Sequence, residues 1–329
     1  MKRLLALAAV LAVIAGVLVL YPSDHYLFLP DRARPVDPLV SIEDEDLEQD
    51  AGTTDEGVYM VDILVRRASL LERLVPEIAD GATLVPGHAV NPIGVSESQR
   101  RQTSLNQMSR SQEIAVTVAL RELGYIVDVD EQGAEVTTVL PGSPAEGVLE
   151  VGDIVIGAEG TPVRRARQLQ RALAAAEPGQ EVGLTILRDG EERKVRVGTV
   201  ASEQNPERAV MGVIIQQAAT FEFPLDIEID AGDIGGPSAG LAFALGITDE
   251  LGDDITCGRR ITVTGELSLD GAVQAIGGVK QKAIGAEQSG ADVFVVPDAN
   301  AAEAREHAAE DLEVIAVSTY DEAVEALAC

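Results

Sequence analysis

Tryptophan is absent from this 329-residue chain, and aromatic residues make up only 3% of it. Its cores must therefore be built from the Ala, Val, Ile and Leu that dominate an apolar content of 46%. Lysine is almost as scarce. Lys2, Lys194, Lys280 and Lys282 are the only ones, and arginine supplies the other basic residues. None of these lysines follows a glycine, so the Gly-Lys-Ser/Thr of a phosphate-binding loop is missing and ATP binding is not supported. Cys257 and Cys329 are too few and too distant for a disulfide framework or a metal site, and the sequence leaves open whether they pair. His25, His88 and His307 are not placed like members of a catalytic triad. No cluster with metal-ligand spacing is present, and no cofactor is expected. The net charge of −30 argues against nucleic acid as a partner, because phosphate binding needs clustered Lys and Arg.

The chain does have one long apolar run. Lys2 and Arg3 precede Leu4 to Leu20, apolar apart from Gly16. As a helix this run spans about 26 Å, close to a bilayer core of about 30 Å. Tyr21, Tyr26 and Phe28 follow as interfacial aromatics, and the basic N-terminus should stay in the cytoplasm. The residues after the run, through Tyr21 and Pro22, make a poor cleavage site, so an anchor is expected rather than a removed signal peptide. The expectation is a single-pass cell-membrane protein (residues 1–21) with the remainder on the extracytoplasmic side.

Residues 22–56, rich in Pro, Asp and Glu, read as an acidic, extended tether. A strand at 58–65, a helix near 68–78, a Pro/Gly/Ser-rich loop near 81–98 and a helix over 107–123 follow. From Gly124 to about Val200 short β-rich runs alternate with turn signals around one helix, Ala166–Ala176. Beyond Ser202 the pattern becomes mixed α/β, with helices expected at 237–251 and 279–288 and strands at 209–215 and 261–264.

Gly142-Ser143-Pro144-Ala145, Leu149, Gly152-Asp153-Ile154-Val155, Gly160-Thr161-Pro162-Val163, Pro178-Gly179 and Arg188-Asp189-Gly190 together resemble a PDZ domain of the bacterial-protease type. The resemblance implies that an extended peptide adds as a strand, with the peptide-facing loop at Leu123, Gly124, Tyr125 and Ile126.

Ser238 lies in Gly235-Gly236-Pro237-Ser238-Ala239-Gly240. The glycines allow unusual backbone angles, Pro237 suits a helix start, and free N–H groups at a helix N-terminus favour a developing anion. Taken alone, a serine here is as readily a simple helix cap. A serine nucleophile needs a base, and no histidine is placed to serve. The alternative is a lysine neutralised by burial. In Ile276-Gly277-Gly278-Val279-Lys280-Gln281-Lys282 the two lysines point about 200° apart on a helix, so one should face inward. These segments, with Thr264-Gly265-Glu266, Gly271, Gly290 and Pro297-x-x-Asn300 in order, resemble the Lon protease proteolytic domain. The resemblance implies Ser238 as nucleophile, Lys282 as general base, Thr264 as the residue orienting the amine, and an oxyanion hole from Ser238 N–H and the Gly235-Gly236 turn. Where Lon has Asp-Gly-Pro-Ser, this chain has Gly-Gly-Pro-Ser, the form associated with smaller bacterial Lon-like proteases that carry a membrane helix and a PDZ module.

Met108-x-x-Ser111-x-x-x-Ala115 echoes a helix early in that domain, so the PDZ domain is read as inserted in it. The expected fold is α+β: an anchor, a tether, the first part of the protease domain at 57–122, a PDZ domain at 123–200 and the rest of the proteolytic domain at 201–329. The implied function is ATP-independent hydrolysis of unfolded or exported polypeptides, with a homo-hexamer expected by resemblance. The alternatives are a catalytically inactive membrane-tethered PDZ scaffold and a C-terminal processing peptidase.

Overall fold

The computed structural model describes residues 2–43, 56–75, 78–90, 96–202, 205–252 and 254–329. The chain divides into two compact units. One comprises Met1–Val90, Met108–Ile126 and Leu225–Cys329; the other comprises Asn91–Gln107 and Val127–Pro224.

Helix α1 covers Lys2–Leu20. Many of its side chains lie outside the described residues, and among the described residues no helix is long and apolar enough to cross a membrane. The expected tether is not free chain in its first part. Strands β1 (Pro22–Pro30), β2 (Arg34–Pro35) and β3 (Val40–Glu43) occupy it, and Tyr26, Leu27, Val36 and Ile42 are buried. Its acidic run from 44 to 55 lies outside the described residues. The expected strand at 58–65 is two, β4 (Gly57–Met60) and β5 (Ile63–Ser69), followed by the short helix α2 (Leu70–Leu74). Strand β6 (Thr83–Pro86) and α3 (Gly87–Val90) replace part of the expected loop, because β6 pairs with β1, which also pairs with β5. Helix α4 runs from Glu97 to Glu122, ten residues longer at its start than the expected 107–123, and its buried residues include Met108, Ser111 and Ala115.

The second unit is built on a five-strand path, β7 (Asp128–Val139), β8 (Ile154–Ala158), β10 (Glu181–Arg188), β11 (Glu191–Gly198) and β14 (Val213–Glu222), ordered β11-β10-β8-β7-β14. The short strand β9 (Thr161–Pro162) pairs with β8, and β12 (Val200–Ala201) pairs with β13 (Ala209–Val210). Helix α5 (Ala166–Ala174) buries Leu169 in a core with Val155, Leu184, Ile186 and Val197. Strand β14 begins after the expected PDZ boundary at residue 200. It belongs to this unit because it pairs with β7 along its whole length.

Back in the first unit, β15 (Asp226–Ile229) pairs with β3. Helix α6 (Gly240–Leu251) follows, then β16 (Arg260–Val263), β17 (Glu266–Leu267), β18 (Val273–Gln274), α7 (Val279–Gln288), β19 (Val293–Pro297), α8 (Ala301–His307), β20 (Glu313–Val317) and α9 (Tyr320–Leu327). The central sheet is ordered β2-β4-β16-β19-β20, and β4, β16, β19 and β20 run parallel. Ile261, Val263 and every residue from Val293 to Val296 are buried, as expected for parallel strands covered on both faces. Gly240 to Thr248 of α6 are buried all round, which makes α6 a central core helix. Helix α7 packs closely through Ala283, Gly285 and Ala286; a Cβ at Gly285 would meet the Asp31 carbonyl oxygen at 2.1 Å. Cys257 and Cys329 form a disulfide, tying the C-terminus to the turn ahead of β16. Seventy-two residues separate the two, so only the fold brings them together.

Candidate active site

Strands β16 and β19 and helices α4, α6 and α7 of the first unit position Ser238 and its neighbours. Strand β16 ends at Val263, and Thr264 continues its parallel pairing by donating its N–H to the Val295 carbonyl (3.0 Å). Gly265 N–H donates to the Ser238 carbonyl (2.9 Å), and Leu241 N–H donates to the Gly265 carbonyl (3.2 Å). This pairing corrects one expectation: the helix begins at Gly240, not Pro237, and Ser238 occupies the turn just ahead of it. The Ser238 carbonyl is held by the end of β16 rather than by a helical N–H. Gly236, at φ +91°, takes the left-handed conformation that the turn needs. From α4, the Ser111 hydroxyl donates to the Pro237 carbonyl (3.0 Å) and the Gln112 amide to the Ile229 carbonyl (3.1 Å). A Cβ at Gly240 would meet Ser111 Oγ at 2.6 Å, so glycine there lets α4 come this close.

Helix α7 is aimed by a second set of contacts. Asn300 accepts from Ile276 N–H (2.8 Å) and donates back to the Ile276 carbonyl (3.1 Å). Gly278 caps the helix at φ +71°, where a Cβ would meet Ile63 at 3.0 Å. Lys282 then projects inward and is 2% exposed, while Lys280 stays half-exposed. Lys282 Nζ lies 2.7 Å from Ser238 Oγ and 2.9 Å from Thr264 Oγ1. Thr264 Oγ1 donates in turn to the Ser238 carbonyl (3.1 Å). Burial pushes the Lys282 ammonium down to about 8, with Asp62 opposing the shift.

Asp62, between β4 and β5, was not legible as a site residue. Its carboxyl accepts from Ile63 N–H (2.7 Å); burial holds it above the ordinary carboxylate range, against the pull of that N–H and of Lys282. Its signal in the sequence is only an acid inside an apolar run.

Ser238, Thr264 and Lys282 are thus brought within hydrogen-bonding distance of one another. Gly235, Gly236 and Pro237 form the turn before Ser238, and the backbone N–H groups of Gly236 and Ser238 donate to no acceptor among the described residues. Leu123, Gly124, Tyr125 and Ile126 directly follow α4 and lead into β7. They close the C-terminal end of that helix from outside it: Gly124 takes φ +85°, and Tyr125 N–H donates to the Leu120 carbonyl (2.9 Å). The strand after them, β7, is second in its sheet, because β14 occupies the edge. Among the described residues no group of His, Cys, Asp and Glu could hold a metal ion.

Residues 213–328 match the family described as the Lon protease (S16) C-terminal proteolytic domain, and residues 93–199 match the PDZ domain. Lon protease 2 of Bacillus subtilis is 39% identical over 105 residues, covering 32% of this chain and 18% of that protein. Lon protease 1 of Sorangium cellulosum is 28% identical over 298 residues, covering 78% of this chain and 35% of that protein. The chain thus spans a minor part of these relatives' length. Among solved structures, the PDZ domain of an SdrC-like protein from Listeria innocua is 17% identical with a TM-score of 0.24, covering 25% of this chain and 92% of that one. The chain carries a Lon-type (S16) proteolytic domain together with a PDZ domain.

Proposed function

We propose that the chain is an ATP-independent serine endopeptidase that cuts unfolded or exported polypeptides with a Ser238–Lys282 dyad. The carrying observation is a buried lysine amine 2.7 Å from the hydroxyl of a half-exposed serine. Proton positions follow from the hydrogen bonds. Thr264 gives its hydroxyl proton to the Ser238 carbonyl, so its oxygen is left to accept from Nζ. The lone pair of the neutral amine is then free to accept the Ser238 hydroxyl proton. Attack by Oγ on a peptide carbonyl transfers that proton to Lys282. The tetrahedral oxyanion meets the N–H groups of Gly236 and Ser238. Lys282 then protonates the leaving amine, an acyl-serine remains, and water hydrolyses it by the same base. Thr264 keeps the amine aimed throughout.

The PDZ domain assists substrate binding or gating. The anchor reading rests on the sequence alone: the apolar run Leu4–Leu20 after Lys2 and Arg3 fits a single-pass anchor with the rest of the chain outside the cytoplasm. The test is hydrolysis of fluorescein-casein by the full chain in detergent, without ATP and with a chelator present. Wild type should cleave, while Ser238→Ala and Lys282→Ala, folded by circular dichroism, should not. Activity retained by Ser238→Ala overturns the dyad. Silence in every form leaves the membrane-tethered scaffold.

A further inference from the structure

Helix α1 runs into the folded part of the first unit without a linker. It ends at Leu20, Tyr21 N–H donates to the Val17 carbonyl (3.0 Å), and β1 begins at Pro22. Helix α2 is fastened to that junction. Leu70 N–H donates to the Tyr21 carbonyl (3.0 Å), and the Ser23 hydroxyl donates to the Ala68 carbonyl (2.9 Å) just ahead of α2. Helix α1 also packs against α2 and β5. A capping box fixes the start of α2: Glu72 N–H donates to Ser69 Oγ (3.2 Å), and Ser69 N–H donates to the Glu72 carboxylate (2.8 Å).

What this junction turns outward is apolar. Leu20 is 82% exposed, Tyr21 65% and Leu74 69%. Leu74 stands one turn beyond Leu70, the residue bonded to Tyr21, and so on the same side of α2. Val75 and Ile78 are exposed beside it, and Ile78 N–H donates to the Val75 carbonyl (3.3 Å). Long basic side chains stand at the rim: Arg66 pairs with Glu72 and Arg73 with Asp24, each at 2.6 Å, and both arginines stay open to solvent. An apolar centre edged by arginines suits the boundary between acyl chains and headgroups, where an interfacial helix sinks about 5–10 Å. The face is continuous with the apolar run Leu4–Leu20, and that continuity names lipid as its cover.

We propose that this face is seated on a phospholipid bilayer. Leu20, Tyr21, Leu70, Leu74, Val75 and Ile78 enter the headgroup–acyl boundary, Arg66 and Arg73 lie at headgroup level, and the first unit rests on the membrane instead of swinging from it. The seat rests on the anchor reading, because α1 must first bring the junction to the lipid; nothing in it depends on the peptidase reading.

The chain has no tryptophan, so a single introduced one reports without background. The test places Leu74→Trp and, separately, Val13→Trp in the full chain, reconstituted in vesicles of phosphatidylcholine and phosphatidylglycerol. Part of the lipid is brominated, either near the headgroup or near the end of the acyl chains. Leu74→Trp should lose emission, and more to the shallow bromines than to the deep ones. Val13→Trp, near the middle of the apolar run, should show the reverse order. Leu74 and Val75 are exposed, so Leu74→Asp with Val75→Asp should leave the circular dichroism unchanged, yet it should relieve the quenching of Ile78→Trp by the shallow bromines. Quenching of Val13→Trp with none of Leu74→Trp leaves the anchor standing and overturns the seat; a blue-shifted but unquenched Leu74→Trp would then give the face to a second copy of the chain. Quenching of neither overturns the anchor reading and the seat with it. Quenching of Ile78→Trp that survives the double aspartate variant also overturns the seat.

Discussion

Asp153 in the second unit and Lys282 in the first both carry a charge into an apolar interior, and the two sites treat it oppositely. The Asp153 side chain is 1% exposed, but Arg188 meets both its oxygens in a fork (Nε to Oδ1 and Nη2 to Oδ2, each 2.7 Å), and Glu150 N–H donates to it as well. Burial alone would push its carboxyl up; the Arg188 fork and the N–H override it and hold the group below the ordinary range. Among the described residues Lys282 meets two hydroxyls, and no carboxylate bonds it. Its ammonium is correspondingly destabilised. A buried charge with a bonded counterion stays charged and is structural. One given neutral hydrogen-bond partners becomes a group that can lose its proton near neutral pH, as a general base must.

Breaking either arrangement should have its own signature. The largest effect is expected from Ser238→Ala, which should lower kcat by about 10⁴-fold or more with thermal stability unchanged. Its backbone carbonyl, which carries the structural bonds, is retained. Arg188→Met should leave Asp153 buried and unpaired, costing about 3–5 kcal/mol by urea unfolding. The rate at the dyad per folded molecule should persist. Thr264→Val keeps the shape but removes both the acceptor for Nζ and the bond to the Ser238 carbonyl. It should lower kcat by up to about 10²-fold with little change in KM. The smallest effect is Asp62→Asn. Its carboxylate favours charged Lys282, so its removal should move the acid limb of the kcat/KM profile to lower pH. A limb that stays in place would exclude Asp62 from the tuning.

The same depressed lysine has a stability consequence. Between pH about 8 and 10.5 the unfolded chain holds a proton on Lys282 that the folded chain has released, so stability should rise with pH across that window. Below it the contribution of this residue is lost.

Much of the site was legible because its parts are local. Glycine, proline and serine in one hexapeptide specify a turn, and two lysines two residues apart on a helix must face opposite ways. Thr264 needed only the order of the motifs. What the sequence hid depends on long-range pairing. The acid-rich composition near residues 22–43 concealed β1 and β3, whose partners β5, β6 and β15 lie far along the chain. The edge position of β14 was hidden for the same reason: β7 precedes it by the whole insert. The target of Ser111, the Pro237 carbonyl, lies 126 residues away. The pairing of Cys257 with Cys329 likewise needed the fold.

The central claim is that Lys282 is the base for Ser238. Its most direct measurement is the rate at which a fluorophosphonate probe labels Ser238, followed by mass spectrometry from pH 6 to 10 in wild type and in Lys282→Ala. The account predicts labelling on Ser238 that rises with pH to a plateau, with a midpoint near 8, and that is nearly abolished without the lysine. Labelling independent of pH, or equally fast in Lys282→Ala, would contradict it.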